Sequence, residues 1–192
     1  EKLYSNIEDP WNLLKLNKKN FTFKRDVILN LCNFLKSIKK RKKLKILEIG
    51  CGFPVNLSYL YLNKFDVHGT DNSETCIRKS KIKYPYLKKR LYLSEFLNFK
   101  LYKKINPDVI ILSDITWYVL DELKSFLKWH KGYKKKIYLI HCLQAYGGKQ
   151  KYGKNYFTDL KEMKRFFKLK YIVTGKFAYF KEDYQTFFLA SR

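Results

Sequence analysis

An α/β fold, with a mostly parallel sheet covered by helices on both faces, is what this sequence predicts. Three observations carry the prediction. Short apolar runs alternate five times with segments of helical periodicity, the pattern of strand–helix–strand units. The first of those runs closes on a glycine-rich turn, Gly50-Cys51-Gly52. The C-terminal part then reads as two strands joined by a short turn, which brings the sheet to seven strands with an antiparallel one at the C-terminus.

Taken in order, Val27, Ile28, Leu31, Phe34, Leu35 and Ile38 fall on one helical face, with Asn20 or Thr22 as its cap. Residues 44–49 form a short buried strand, and Leu57, Leu60 and Tyr61 follow at helical spacing. A second strand over residues 65–70 ends at Asp71, and Ser73 can cap a helix that starts at Glu74. Residues 91–93 and the Val- and Ile-rich 108–112 are the third and fourth strands. Leu120, Leu123, Phe126 and Leu127 mark a helix that Gly132 can end. The fifth strand spans 137–141, Thr158 caps a helix to about residue 168, and 171–180 and 184–189 are the closing pair.

At 192 residues the chain reads as a single domain, 1–192, with a helical cap over 1–40 and the core over 41–192. No apolar run approaches the roughly 18–20 residues that would span a membrane. Residues 1–5 lack the apolar run of a secretory signal. Cys32, Cys51, Cys76 and Cys142 form no C-x-x-C pair and are expected as free thiols in a reducing cytoplasm. The formal charge is +24, from 41 Lys and Arg against 17 Asp and Glu. Only six of the 41 are Arg, and the Lys, Asn, Ile, Tyr and Phe in excess share AT-rich codons, so genome composition accounts for part of the charge. In either case it favours anionic substrates over cationic ones.

In open α/β sheets ligands sit beyond the carboxyl ends of the strands, so the end of the first strand is the place to look. There Glu48 stands just before the glycine turn, and Pro54 and Val55 follow it. A carboxylate at Glu48 would repel a pyrophosphate. The third glycine of G-x-G-x-x-G is absent, since Val55 stands there, and Pro54 removes an N–H donor. S-adenosylmethionine carries no phosphate and is cationic at its ammonium and sulfonium, which an acid beside the turn suits. Asp71, 19 residues beyond Gly52, is placed to accept from both hydroxyls of a ribose. The competing reading is a turn or capping aspartate in Asp71-Asn72-Ser73.

The runs Leu47-Glu48-Ile49-Gly50-Cys51-Gly52 and Gly69-Thr70-Asp71-Asn72-Ser73 resemble class I S-adenosylmethionine-dependent methyltransferases, over roughly residues 44–192. The resemblance implies their Rossmann-like fold and S-adenosyl-L-methionine as methyl donor, with S-adenosyl-L-homocysteine as product. It implies donor contacts at Glu48, Gly50, Cys51, Gly52, Asp71 and Asn72. Ser94-Glu95-Phe96 matches the place of the adenine edge, with Glu95 and Phe96 as candidates. Ser113 and Asp114 match the methionine end, and Trp117 and Tyr118 lie where donor meets acceptor. Where the family pattern has a further glycine, Pro54 stands. Asp9-Pro10-Trp11 resembles the NodS-like branch, small enzymes acting on sugars, whose N-terminal segment closes over the donor; the other reading of Trp11 is a packed residue at a helix entry.

Methyl transfer needs alignment, exclusion of water, and a base where the nucleophile carries a proton. His141, at the end of the fifth strand, is either such a base or a satisfied structural histidine, and Asp114 competes with it. His68 reads as a core residue and His130 as a solvated one near a helix end. A lid over 142–157 with Gln144 and Tyr146, and Arg25 on the first helix, are candidate substrate contacts. No clustered oxygen ligands are found, so no metal is expected. Ser113-Asp114-Ile115-Thr116 is not the motif of DNA amino-methylating enzymes, and no Cys follows a Pro as cytosine-5 enzymes require. The expectation is O- or N-methylation of a small polar, anionic metabolite or carbohydrate precursor. It resembles the capsule-biosynthesis methyltransferases, including those for capsular phosphoramidate. RNA methylation and non-catalytic donor binding are the alternatives.

Overall fold

The computed structural model describes residues 4, 7, 9, 10, 19–40, 43–145, 150, 152–180 and 183–192, with backbone alone at 19–22, 145, 178–180 and 183–184. The chain divides into two compact units, Glu1–Pro107 and Asp108–Arg192. Seven strands form one sheet in the order β3-β2-β1-β4-β5-β7-β6.

The first unit contains α1 (Lys19–Ile38), β1 (Lys45–Ile49), α2 (Val55–Leu62), β2 (Asp66–Asp71), α3 (Glu74–Lys83), β3 (Leu91–Leu93) and α4 (Phe99–Ile105). β1 pairs in parallel with β2, and β2 with β3. Four of the five β1 residues are buried, as a strand covered on both faces requires. On α1 the face that packs is Ile28, Leu31, Cys32 and Leu35, while Phe34 and Ile38 are exposed. The expected stripe was therefore two residues too wide: residues 28, 31, 32 and 35 already complete the i, i+3, i+4, i+7 pattern of one face. Asn20 and Thr22 lie within α1, so neither caps it. Ser73 does cap α3, its Oγ accepting from Cys76 N at 3.1 Å. Helix α4 was not foreseen; Asn98 caps it, and only Tyr102 and Ile105 are buried.

The second unit contains β4 (Val109–Ser113), α5 (Leu120–Gly132), β5 (Tyr138–Ala145), α6 (Leu160–Phe167), β6 (Lys170–Phe180) and β7 (Asp183–Ser191). β4 and β5 are parallel, and β7 runs antiparallel to both β5 and β6. α5 buries Leu120, Leu123, Phe126, Leu127 and His130, with Asp121 and Glu122 in its first turn and Lys131 in its last, each sign suited to its end of the helix dipole. β5 continues through Ala145 because residues 142–145 find partners on β7, so this start of the expected lid is strand. The cap of α6 is Asp159, whose Oδ1 accepts from Glu162 N, and Glu162 in turn accepts from the N–H and hydroxyl of Thr158. The expected cap, Thr158, is thus the neighbour that completes the reciprocal pair.

Candidate functional site

The parallel register sets Glu48 beside Gly69 and Ile49 beside Thr70, and so carries the glycine turn to the end of β2. Gly50 and Gly52 both have positive φ, 67° and 50°, a backbone that side chains resist. The turn is stitched to β2 by Cys51 N donating to Thr70 O at 2.9 Å. Asp71 receives two amides: Gly52 N on Oδ2 at 2.9 Å and Ser73 N on Oδ1 at 3.0 Å. Its own carbonyl accepts from Ser94 N at 2.9 Å, which fixes the exit of β3. The Asp71 carboxylate is thus held at the strand end, aimed by two N–H groups.

Glu48 is 2% exposed, and its Oε1 accepts from Asn56 Nδ2 at 2.7 Å. Burial, then the Asp71 and Glu48 carboxylates, push the Cys51 thiol well up. Burial followed by Asp71 pushes the Cys76 thiol up to about 12. Both thiols stay protonated, in a field made negative by two acids. Three amides at the turn are engaged: Cys51 on Thr70, Gly52 on Asp71, and Val55 on Phe53 O at 2.7 Å. Pro54, the N-cap of α2, has no N–H and makes no side-chain cap. These three N–H groups are taken up within the protein and are not offered to a pyrophosphate. The site fits a phosphate-free, cationic ligand with a hydroxylated ring. Asn56 adds a buried acceptor, Oδ1, with no hydrogen-bond partner among the described residues. Sequence reasoning passed over it; a lone polar residue in the apolar opening of α2 was the available signal.

Near β3, Glu95 is exposed and Phe96 buried. The backbone carbonyls of both accept from the Tyr102 hydroxyl, the Glu95 bond being 3.5 Å. Asn72 is exposed beside Asp71. Arg25 on α1 lies over the Tyr59 ring at 5.4 Å, and Tyr59 OH donates to Asp26. Trp11 and Tyr146 lie outside the described residues.

In the second unit, Ser113 ends β4 with its Oγ buried and without a partner among the described residues. Asp114 adopts φ +57°. Its Oδ1 accepts from Gln144 N at 3.2 Å and Gln185 Nε2 at 3.0 Å, which weakens that oxygen as a base. Trp117 Nε1 donates to Gln144 O at 3.0 Å. Gly153, at φ +68°, leaves no room for a Cβ, which would come within 2.6 Å of the Trp117 ring. Trp117, exposed Tyr118, Tyr152 and Tyr156 line a cavity of about 540 Å³, together with Asp121, Glu122 and Lys154.

His141 is fully buried, stacked on Phe188 at 4.7 Å and edge-on to Phe167 at 4.9 Å, with Nε2 2.7 Å from Thr116 Oγ1. Burial lowers its pKa to about 3, so the ring is neutral. The ring is enclosed, and its Nδ1 has no hydrogen-bond partner among the described residues, so only one of its two nitrogens is satisfied. His130 is not the solvated residue expected: it is 1% exposed against Phe126, and burial lowers its pKa to about 4. His68 is half-buried instead of a core residue, its Nδ1 3.2 Å from Tyr92 OH.

Among the described residues no group of three or more His, Cys, Asp or Glu can hold a metal ion, and no helix is long and apolar enough to cross a membrane. No protein-family model and no curated protein sequence matches the chain. Solved structures do. The bifunctional kinase-methyltransferase WbdD superposes with a TM-score of 0.68 at 15% identity, over 87% of this chain and 38% of that one. The chain thus spans about two fifths of WbdD. Magnesium protoporphyrin IX methyltransferase (ChlM) from Synechocystis PCC 6803, with bound SAM, gives 0.66 at 15% identity, over 96% and 90%. A SAM-dependent methyltransferase from Aquifex aeolicus gives 0.55 at 16%, over 77% and 81%. At these identities the likeness is one of fold.

Proposed function

We propose that this chain, which has the Rossmann-like fold of class I methyltransferases, is an S-adenosylmethionine-dependent methyltransferase acting as one catalytic domain. The observation that carries the reading is the pairing of Gly52 N with Asp71 Oδ2 across 19 residues. It brings an acid to the glycine turn with its orientation already fixed. S-adenosylmethionine, when bound, supplies an electrophilic methyl on a sulfonium centre. Asp71 accepts from the ribose hydroxyls; Glu48 and the buried Oδ1 of Asn56 face the cationic methionine end. Gly50, Cys51 and Gly52 give backbone access, and Asn72, Glu95 and Phe96 border the adenine.

The acceptor is a small polar metabolite or carbohydrate precursor, including a capsular one. The aromatic and polar walls of the cavity after β4, with Trp117 and Tyr118 and the adjoining Gln144, suit such a molecule. The net charge of +24 supports an anionic one, drawn in by long-range attraction, and Arg25 is a candidate contact for it. The base, where one is needed, is Asp114, since it is half-exposed and His141 is neutral and enclosed.

Calorimetric titration with S-adenosylmethionine tests the donor, and turnover with sugar nucleotides, phosphorylated small molecules and RNA tests the acceptor. Asp71→Ala removes the ribose acceptor and is expected to weaken donor binding about a hundredfold, two charge-assisted hydrogen bonds being lost. Unchanged affinity in a folded Asp71→Ala protein overturns the assignment.

A further inference from the structure

We propose that the groove between α6 and the β6–β7 pair is a second binding site, for a dissolved phosphate monoester that carries an apolar chain or ring. It lies apart from the glycine turn and from the cavity after β4, and it depends on neither reading.

The groove has a volume of about 770 Å³. Register sets its sheet wall: Lys176 stands opposite Thr186, two residues along β7 from Phe188, whose ring Tyr171 meets edge-on at 5.2 Å. α6 covers the same face, since Phe167 also meets the Phe188 ring at 5.2 Å. The floor is Thr186, which is buried, with half-buried Leu160 and Tyr171. Both floor hydroxyls donate within the protein, Thr186 to Leu143 O and Tyr171 to Lys164 O, each at 2.9 Å, so the floor presents mainly carbon. At the mouth Lys161, Arg165 and Lys176 are exposed.

The charge at that mouth is one-sided. Lys161 lies three residues before Lys164 and four before Arg165, so three cations share one helical face, which by itself destabilises a helix. Lys164 is drawn over the Tyr171 ring, 4.9 Å from its centroid. None of the three makes an ion pair among the described residues. The nearby acids are committed to the helix cap: Asp159 Oδ1 takes the Glu162 N–H, and Glu162 Oε2 takes the N–H and hydroxyl of Thr158. The Arg165 guanidinium can take two oxygens of a phosphate and Lys161 a third, while the floor receives the apolar part. Because the apolar surface is recessed and the cations stand outside it, the groove suits one dissolved molecule, where a membrane would need apolar side chains outermost.

The test is calorimetric titration of the full chain with octyl phosphate below its micelle concentration, with inorganic phosphate and octyl glucoside as the head without the tail and the tail without the charge. Octyl phosphate should bind at least about thirtyfold more tightly than inorganic phosphate, as burial of a few methylenes gives, and more tightly than octyl glucoside. Lys161→Gln with Arg165→Gln should raise its Kd about tenfold, two partly exposed charge contacts being lost. Lys88→Gln with Lys89→Gln, two exposed lysines of the first unit, removes the same net charge and should leave Kd unchanged. Leu160→Ser should weaken octyl phosphate about fivefold and leave inorganic phosphate alone. Each variant is also melted without ligand; the Lys161 and Arg165 double variant should melt no lower than the wild type, because it relieves like charges. Equal losses in the two double variants overturn the inference, since general attraction to a basic protein would then account for binding. Inorganic phosphate or octyl glucoside binding as tightly as octyl phosphate overturns it as well. So does binding to vesicles containing phosphatidic acid with none to dissolved octyl phosphate, or no binding at all.

Discussion

Replacing His141 with Gln should remove a measurable part of the acid sensitivity of this protein. The ring sits between Phe188 and Phe167 with no exposed surface, and burial lowers its pKa to about 3. An unfolded histidine titrates near 6.5. Between those values the unfolded chain takes up a proton that the folded chain refuses, so stability rises with pH. The contribution is fully present above about pH 6.5 and is lost as pH falls toward about 3. Linkage between a folded pKa of about 3 and an unfolded one of about 6.5 gives a loss of about 2 kcal/mol from pH 7 to pH 5. With a urea slope of about 2 kcal/mol per molar, the midpoint falls by about 1 M more in the wild type than in His141→Gln. Gln can keep the bond to Thr116 Oγ1, so the variant costs mainly the ring stacking, a pH-independent offset. His130, lowered to about 4, adds a similar slope that is common to both proteins and cancels in the difference. The assay is urea unfolding at pH 7, 6 and 5. Equal pH slopes in the two proteins would refute the reasoning, because the ring would then protonate while folded and have access to solvent, as a catalytic base requires.

Ser73→Ala deletes the oxygen that caps α3, and about 1 kcal/mol of stability with it, read as a drop of roughly 2–4 °C in melting temperature. The backbone amide of Ser73 still reaches Asp71, so donor affinity should change far less than in Asp71→Ala. Gly153→Ala places a methyl within 2.6 Å of Trp117 at φ +68°. It should displace the indole, seen as a change in Trp fluorescence, and lower acceptor turnover while leaving S-adenosylmethionine affinity intact.

What could be read from the residues, and what could not, follows from the range of the interactions involved. β4 was legible because a strand buried on both faces is written as a Val- and Ile-rich apolar run, and β1 because Ile46, Leu47 and Ile49 lead into the glycine turn. Glu48, Gly52 and Asp71 were legible because spacing along two neighbouring strands carries them. The extension of β5 over Cys142-Leu143-Gln144-Ala145 was not, since it depends on partners 39 to 45 residues later in β7. Helix α4 buries only two side chains, too few for a periodic signal, although Asn98 stood ready as its cap. The role of His141 could not be decided from its place at a strand end, because the Phe167 and Phe188 rings that enclose it come from α6 and β7. Tyr4 lay outside any pattern. Its ring meets the glycine turn through the tertiary contact with Phe53.

The four cysteines, Cys32, Cys51, Cys76 and Cys142, are all free and all buried. Cys51 in the glycine turn and Cys76 in α3 are held protonated besides, and only the thiolate reacts. A chromogenic disulfide reagent therefore meets no ready target on the folded surface, and each thiol it consumes records an excursion in which its surroundings have opened. Labelling rates become a clock for local unfolding, with Cys51 and Cys76 timing the turn and the start of α3, and Cys142 timing the central strand of the other unit. A ligand that settles on the turn should slow the first two hands of that clock and leave the third running.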